Sequence, residues 1–216
     1  MLATVSLFIC SACGDSDLDG YYPLEAGRAW RYQVSVIQQG GALSGTAIVA
    51  NLPRTTVFGR SGVPQRSDLF GKTVVRFMSA TGGGIMEYAQ QAGSAPPVSE
   101  DPPDYVLRTP VTAGTSWASV WRSTNGRISF PTVKTIIGTR ETVMVPAGTF
   151  AECLQVKITG KEEVALLAGP ATIEVAGEEW YAPDVGFIKG AFRETVNQGE
   201  ATSELSMHLE SFGGQY

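Results

Sequence analysis

Apolar and polar side chains alternate with a period of two through most of this chain, and that alternation predicts strands. The clearest case is Gly138 to Ile158, GTRETVMVPAGTFAECLQVKI. Val143 and Val145 share one face of an incoming strand, while Leu154, Val156 and Ile158 alternate with Cys153, Gln155, Lys157 and Thr159 on an outgoing one. Successive strand side chains point to opposite faces, so Leu-Val-Ile lines a core and Gln-Lys-Thr meets water. Pro146 fixes its own φ and lacks an N–H, and Gly148 can take positive φ. Pro146-Ala147-Gly148-Thr149-Phe150 therefore reads as the turn of a hairpin, with Phe150 packed beneath it.

The same grammar predicts a strand entered at Trp30 and running to about Gln38, with Tyr32, Val34 and Val36 on one face. Further strands are expected near Thr46 to Leu52, Arg54 to Phe58, Lys72 to Ser79 and Gly84 to Gln90. Beyond them come Thr115 to Arg122, Arg127 to Ile137, Ala171 to Tyr181, Gly186 to Thr195 and Ser203 to Ser211. Pro131 marks a bulge or an edge. Nowhere does an apolar period of 3.6 residues persist over three turns, although Glu162 to Ala168 reads either as strand or as a short helix. The fold class is all-β: an antiparallel, strongly curved sheet or barrel-like sandwich of many short strands, with little helix.

Two features organise the chain further. The spacing P-x-x-x-G-x-x-W occurs at Pro23, Gly27 and Trp30 and again at Pro110, Gly114 and Trp117. It implies either a duplicated half or a repeated way of closing a sheet end with a Trp. Residues 93–104, GSAPPVSEDPPD, are rich in proline and read as a long exposed loop inside a single β-rich domain, 21–216.

Composition adds the compartment. Charged residues make up 17% of the 216-residue chain, against roughly 25% in a typical soluble protein. The net charge is -5 with no run of Lys or Arg, so nucleic acid is not an expected partner. The apolar run Leu2 to Ile9, too short to span a membrane, leads into Cys10-Ser11-Ala12-Cys13. It resembles a signal peptide, 1–12, ending in the lipobox of bacterial lipoproteins, with Cys13 as the lipidated residue; an ordinary secretory signal is the alternative. Gly14 after the cysteine points, by that resemblance, to the outer membrane. Residues 13–20 then form an acidic tether. Asp15, Asp17, Asp19 and Gly20 have the spacing of half a calcium loop, but Ala26 stands where its bidentate Glu belongs, so a solvated tether is the better reading.

Candidate chemistry is sparse. Cys153 is the only cysteine left in a mature domain and reads as a packed thiol. His208, the one imidazole, falls on the polar face of its strand, and no G-x-S-x-G elbow supports Ser-His catalysis. One His and one Cys do not make a zinc site. Gly71-Lys72-Thr73 lacks the upstream glycine of a phosphate loop, where Arg66 stands instead. Glu178 and Glu179 precede Trp180-Tyr181, but alternation sends the two carboxylates to opposite faces. No catalytic residue, metal or cofactor is expected. Trp30 and Trp117 remain as core plugs or, alternatively, as surfaces on which a ligand stacks.

Three segments, YYPLEAGRAWRY at 21–32, ETVMVPAGTFAECLQV at 141–156 and EWYAPDVGFIKG at 179–190, resemble TapB-type bacterial lipoproteins and related exported proteins of unknown function. The resemblance implies an antiparallel β-protein of the bacterial cell envelope, with no catalytic residues to carry over. Two functions are expected from this reading. One is a non-catalytic interaction or scaffold lipoprotein, anchored by its N-terminal lipid and docking an envelope protein. The other is a carrier or sensor holding an apolar ligand such as lipid in a β-lined cavity.

Overall fold

The structure, a computed structural model, describes residues 18, 20–122, 128–166, 169–197 and 201–214. Cys13, the signal-like segment 1–12 and the carboxylates of the tether lie outside the described residues. Alternation yields the expected class: strands make up 77% of the described residues, and there is no helix among them.

The first seven strands are β1 (Ala29–Gln38), β2 (Gly41–Asn51), β3 (Thr55–Val57), β4 (Arg60–Leu69), β5 (Lys72–Thr81), β6 (Gly84–Ala92) and β7 (Val98–Arg108). Then follow β8 (Ser116–Arg122), β9 (Ser129–Val145), β10 (Gly148–Leu166), β11 (Gly169–Ala182), β12 (Gly186–Val196) and β13 (Ala201–Phe212). They form one antiparallel sheet in the order β7-β6-β5-β4-β2-β1-β13-β12-β11-β10-β9-β8, with β3 attached to β4. The sheet curls into a nearly closed barrel. The first and last strands meet in its middle, where β1 pairs with β13, and its two ends, β7 and β8, come together at a seam without a ladder.

The hairpin is longer than its sequence pattern predicts. β9 and β10 continue the alternation past Gly138 and Thr159, so the strand expected to end at Ile137 and the hairpin's incoming strand are one element, and Glu162 to Leu166 is strand; Arg127 lies outside the described residues. At the tip Val143 and Val145 are buried, and Phe150 packs against Phe212 with ring centroids 5.9 Å apart. Ala147 N–H donates to Leu209 O at 3.0 Å, which ties the tip to β13.

Cross-strand partners share a face, and following the registers gives the inner lining. At one end of the barrel Met78, Ile85, Leu107, Trp117, Ile136, Leu154, Val156 and Tyr181 form a buried cluster. The segment before β1 plugs that end. Leu18 is wholly buried and Tyr22 is in the same cluster, while Asp184 N–H donates to Gly20 O at 2.7 Å.

The two P-x-x-x-G-x-x-W copies close strands in the same way. Gly27 (φ 85°) and Gly114 (φ 94°) both turn the chain in the left-handed region. Their N–H groups donate to Asn51 O at 2.9 Å and Ile136 O at 2.8 Å, each on a neighbouring strand.

Two expectations are corrected. The segment 93–104 is a turn only to Pro97; from Val98 it is β7. Proline is tolerated there because β7 has a ladder on one side only, and Glu100 to Pro103 bulge out between the pairs Ala89–Ser99 and Glu87–Asp104. β4, absent from the sequence reading, pairs along Val63 to Leu69 with β5. Its inward positions Gln65 and Ser67 are polar, so it carries no apolar alternation.

Candidate functional site

Beyond the apolar cluster, the lining changes character and a band of polar and charged side chains crosses the barrel. Gln65 on β4 is the register partner of Arg76 on β5, and Glu87 on β6 is that of Asp104 on β7. Ser119 on β8 is paired with Thr132 on β9. Lys134, next on the same face of β9, reaches over β10 to Glu179 on β11 at 2.9 Å.

Most of these groups are matched. The plug supplies Tyr22, whose hydroxyl donates to Gln65 Oε1 at 2.8 Å; Gln65 Nε2 donates to Asn51 Oδ1 at 3.1 Å. Asn51 Nδ2 in turn donates to the Pro23 and Glu25 carbonyls. Tyr181 O–H donates to Glu179 Oε2 at 2.8 Å, the oxygen that also receives Lys134. Burial pushes the Tyr22 phenol up to about 12 and the Tyr181 phenol well above its usual value. Both therefore act as neutral donors.

The seam belongs to the same band. Arg122 on β8 meets Glu100 at 2.7 Å and Asp104 at 3.8 Å, both on β7. Ser119 and Val120 of β8 lie beside Asp104, and Trp117 Nε1 donates to Tyr105 O at 2.9 Å. Side chains thus join the two edges where main-chain pairing does not. Glu87 lies 4.0 Å from Arg76 and is 3% exposed. Burial raises the carboxyl pKa of both Glu87 and Asp104. Desolvation acts against their charged forms, and the attraction of Arg76 and Arg122 opposes it only in part.

The residues expected from sequence to bind a ligand are brought together only in role. Trp30 is 3% and Trp117 4% exposed, and each indole N–H is taken, by Val185 O at 2.6 Å and by Tyr105 O. Both indoles are spent on closing the barrel end and offer no open ring face. Cys153 is fully buried, and burial lifts its thiol to about 11. His208 sits between Gln33 and Lys189 on the outer face, where partial burial and then Lys189 lower its pKa. Glu178 meets Gln155 on that outer face, whereas Glu179 points inward. Among the described residues no group of three acidic, His or Cys side chains is placed to hold a metal ion.

Sequence reasoning missed the whole band. Its one legible sign was Lys134, a charge in phase with the buried Phe130, Thr132 and Ile136.

Outside the barrel, β8 and β9 present a different surface. Val120, Val133 and Ile137 are 41%, 47% and 42% exposed. Val133 pairs with Ala118 and Val120 with Pro131, both also exposed. Lys157 and Thr159 on β10 border this apolar strip.

Compared with known proteins, residues 122–204 match the sequence model of the DUF3108-like family. No curated protein matches the chain. Among solved structures, a Bacteroides fragilis protein of YmcC-like fold, proposed to be exported, is similar at 16% identity. The match covers 89% of this chain and 98% of that one, with a TM-score of 0.41. A proposed lipoprotein from Parabacteroides distasonis is similar at 14% identity over 89% and 98% of the two chains, with a TM-score of 0.37.

Proposed function

We propose that this chain is a lipid-anchored protein of the bacterial cell envelope, of the TapB type, that works by non-covalent association with another envelope protein and not by catalysis. The anchor is Cys13, and the outer membrane is its place. The observation that carries the reading is the contrast between the two faces of the sheet. Inside, the plugged half is filled by the protein's own side chains, and a charged band separates it from a second apolar cluster around Phe130, Ile173 and Val175. Outside, Val120, Pro131, Val133 and Ile137 keep apolar surface in contact with water beside the seam. A contiguous apolar patch rimmed by polar groups is the usual mark of a protein contact.

A carrier of apolar molecules needs a dry, apolar hollow. The band of Arg76, Glu87, Asp104, Lys134 and Glu179 makes the interior a poor one, and Trp30 and Trp117 are already packed.

The test is co-isolation from native membranes of wild-type protein and Val133→Asp, with crosslinking before extraction. A discrete protein partner should be recovered with the wild type and lost with the variant, while the variant keeps its fold by circular dichroism. Equal recovery from both would overturn the assignment of this face.

A further inference from the structure

The N-terminal segment enters the barrel at a fixed place. Leu18 is wholly buried, in the plugging cluster with Met78, Ile85, Leu107 and Trp117. Its carbonyl accepts from the Tyr21 and Tyr22 N–H groups at 2.9 and 3.0 Å, and the Asp184 N–H holds the Gly20 carbonyl. Cys13 stands five residues before Leu18, and five residues span at most about 18 Å even when fully extended. The barrel is taller than that reach. β11, with 14 residues, is about 40 Å long, and at the usual barrel tilt of about 40° it rises about 30 Å along the axis. With an acyl anchor at Cys13, the plugged end stays close to the bilayer and the opposite end cannot turn to it.

A second property of the plugged end is independent of the tether. The β5–β6 turn, the β7–β8 connection and the β9–β10 tip all come to it. Thr109 N–H donates to Gly83 O at 3.3 Å and its hydroxyl to Gly82 O at 3.0 Å, while Tyr21 O–H donates to Glu152 O at 2.9 Å beside the hairpin tip. Residues 79–86, 109–120 and 142–151, which hold these connections, contain no charged side chain. Gly82, Pro110, Ala113, Met144, Pro146 and Thr149 are exposed there. Charged side chains at the margin include Glu25 and Arg28, paired at 3.0 Å, Arg108, which lies over the Tyr105 ring at 4.5 Å, and the exposed Asp184. Towards the opposite end, by contrast, β10 to β13 carry the exposed pairs Lys161–Glu174 and Arg193–Glu204. Charges are costly to take out of water and small neutral groups much less so. The plugged end is therefore the one that a layer of lipid headgroups accepts.

We infer that the barrel stands end-on on the bilayer, with the β5–β6, β7–β8 and β9–β10 connections against the lipid headgroups and the opposite end directed away from the membrane. The inference rests on the acyl anchor proposed above. It sets β8 and β9 upright, so a partner of their outer strip stands beside the protein and not beneath it.

The experiment uses the full acylated protein, isolated from membranes and reconstituted into phosphatidylcholine vesicles that contain a lipid with a nitroxide on its headgroup. Ala113→Cys and Thr149→Cys at the plugged end, and Gln39→Cys and Ser94→Cys at the opposite end, are labelled one at a time with a fluorophore. All four positions are exposed, whereas Cys153 is enclosed. Two positions at each end guard against a variant that folds poorly, and each is compared with the wild type by circular dichroism. Fluorescence should be lost at positions 113 and 149 and retained at 39 and 94. Intact mass of the same samples reads the anchor separately. Acylated protein quenched equally at both ends, more at 39 and 94, or at none of the four overturns this orientation and leaves the anchor standing. A mature chain without acyl mass at Cys13 overturns the anchor and the orientation with it.

Discussion

The indole N–H of Trp117 donates to the main-chain carbonyl of Tyr105 at 2.9 Å, and this bond spans the junction of the barrel that has no ladder. Trp117 lies on β8 and Tyr105 on β7, the two ends of the strand order. Replacing Trp117 by Phe keeps an aromatic ring in the cluster but removes the donor. The expected loss is about 1 kcal/mol, the usual net worth of such a bond. Urea unfolding of the two proteins measures it, and amide hydrogen exchange should accelerate first in β7 and β8.

Lys134 and Glu179 are each nearly buried, with side-chain exposures of 11% and 13%. Lys134→Met strands a carboxylate that keeps only the Tyr181 hydroxyl, at a cost of about 3–5 kcal/mol. The double variant Lys134→Met with Glu179→Leu should recover most of that loss, because it removes both charges together. A double-mutant cycle from denaturant midpoints reads the difference.

How much of this was legible follows from which face a strand turns to what. Leu154, Val156 and Ile158 line an apolar interior, so the hairpin announced itself through alternation, and the all-β class with it. β4 and β7 turn Gln65, Ser67 and Asp104 inward, where a pattern built on apolar side chains finds nothing to count. The charged band concealed the strands that carry it, and the prolines of β7 imitated a loop. Trp30 and Trp117 were visible as a repeated spacing, but their satisfied indoles emerge only once Val185 and Tyr105 are brought beside them by the fold.

The raised carboxyl pKa values of Glu87 and Asp104 fix the sign of a pH effect. A carboxyl whose folded value lies above its unfolded one holds its proton more tightly when folded. Its contribution to stability is complete below the unfolded value, about 4, and is lost as pH rises through the folded value. Wild-type protein should therefore lose stability relative to Glu87→Gln as pH rises from about 4 towards neutral. Melting temperatures of both proteins across that interval, at constant ionic strength, check the direction.

Cys153 should behave as an inert thiol. With its thiol raised to about 11 by burial, the thiolate is scarce at mildly alkaline pH, and the residue is fully enclosed. A thiol-reactive disulfide reagent should label the unfolded chain promptly and the native protein only on the timescale of opening. Lowering stability through Lys134→Met should raise the native labelling rate.

The outer face of the sheet at β8 and β9, and not the interior, is the surface expected to meet a partner. A photo-crosslinking side chain placed at Val133, on the outer face, and separately at Leu205, on the inner one, decides this in intact cells. Val133 should give a discrete adduct with one envelope protein, and Leu205 should give none. A lipid adduct at Leu205 with Val133 silent would contradict the account and make the barrel a carrier.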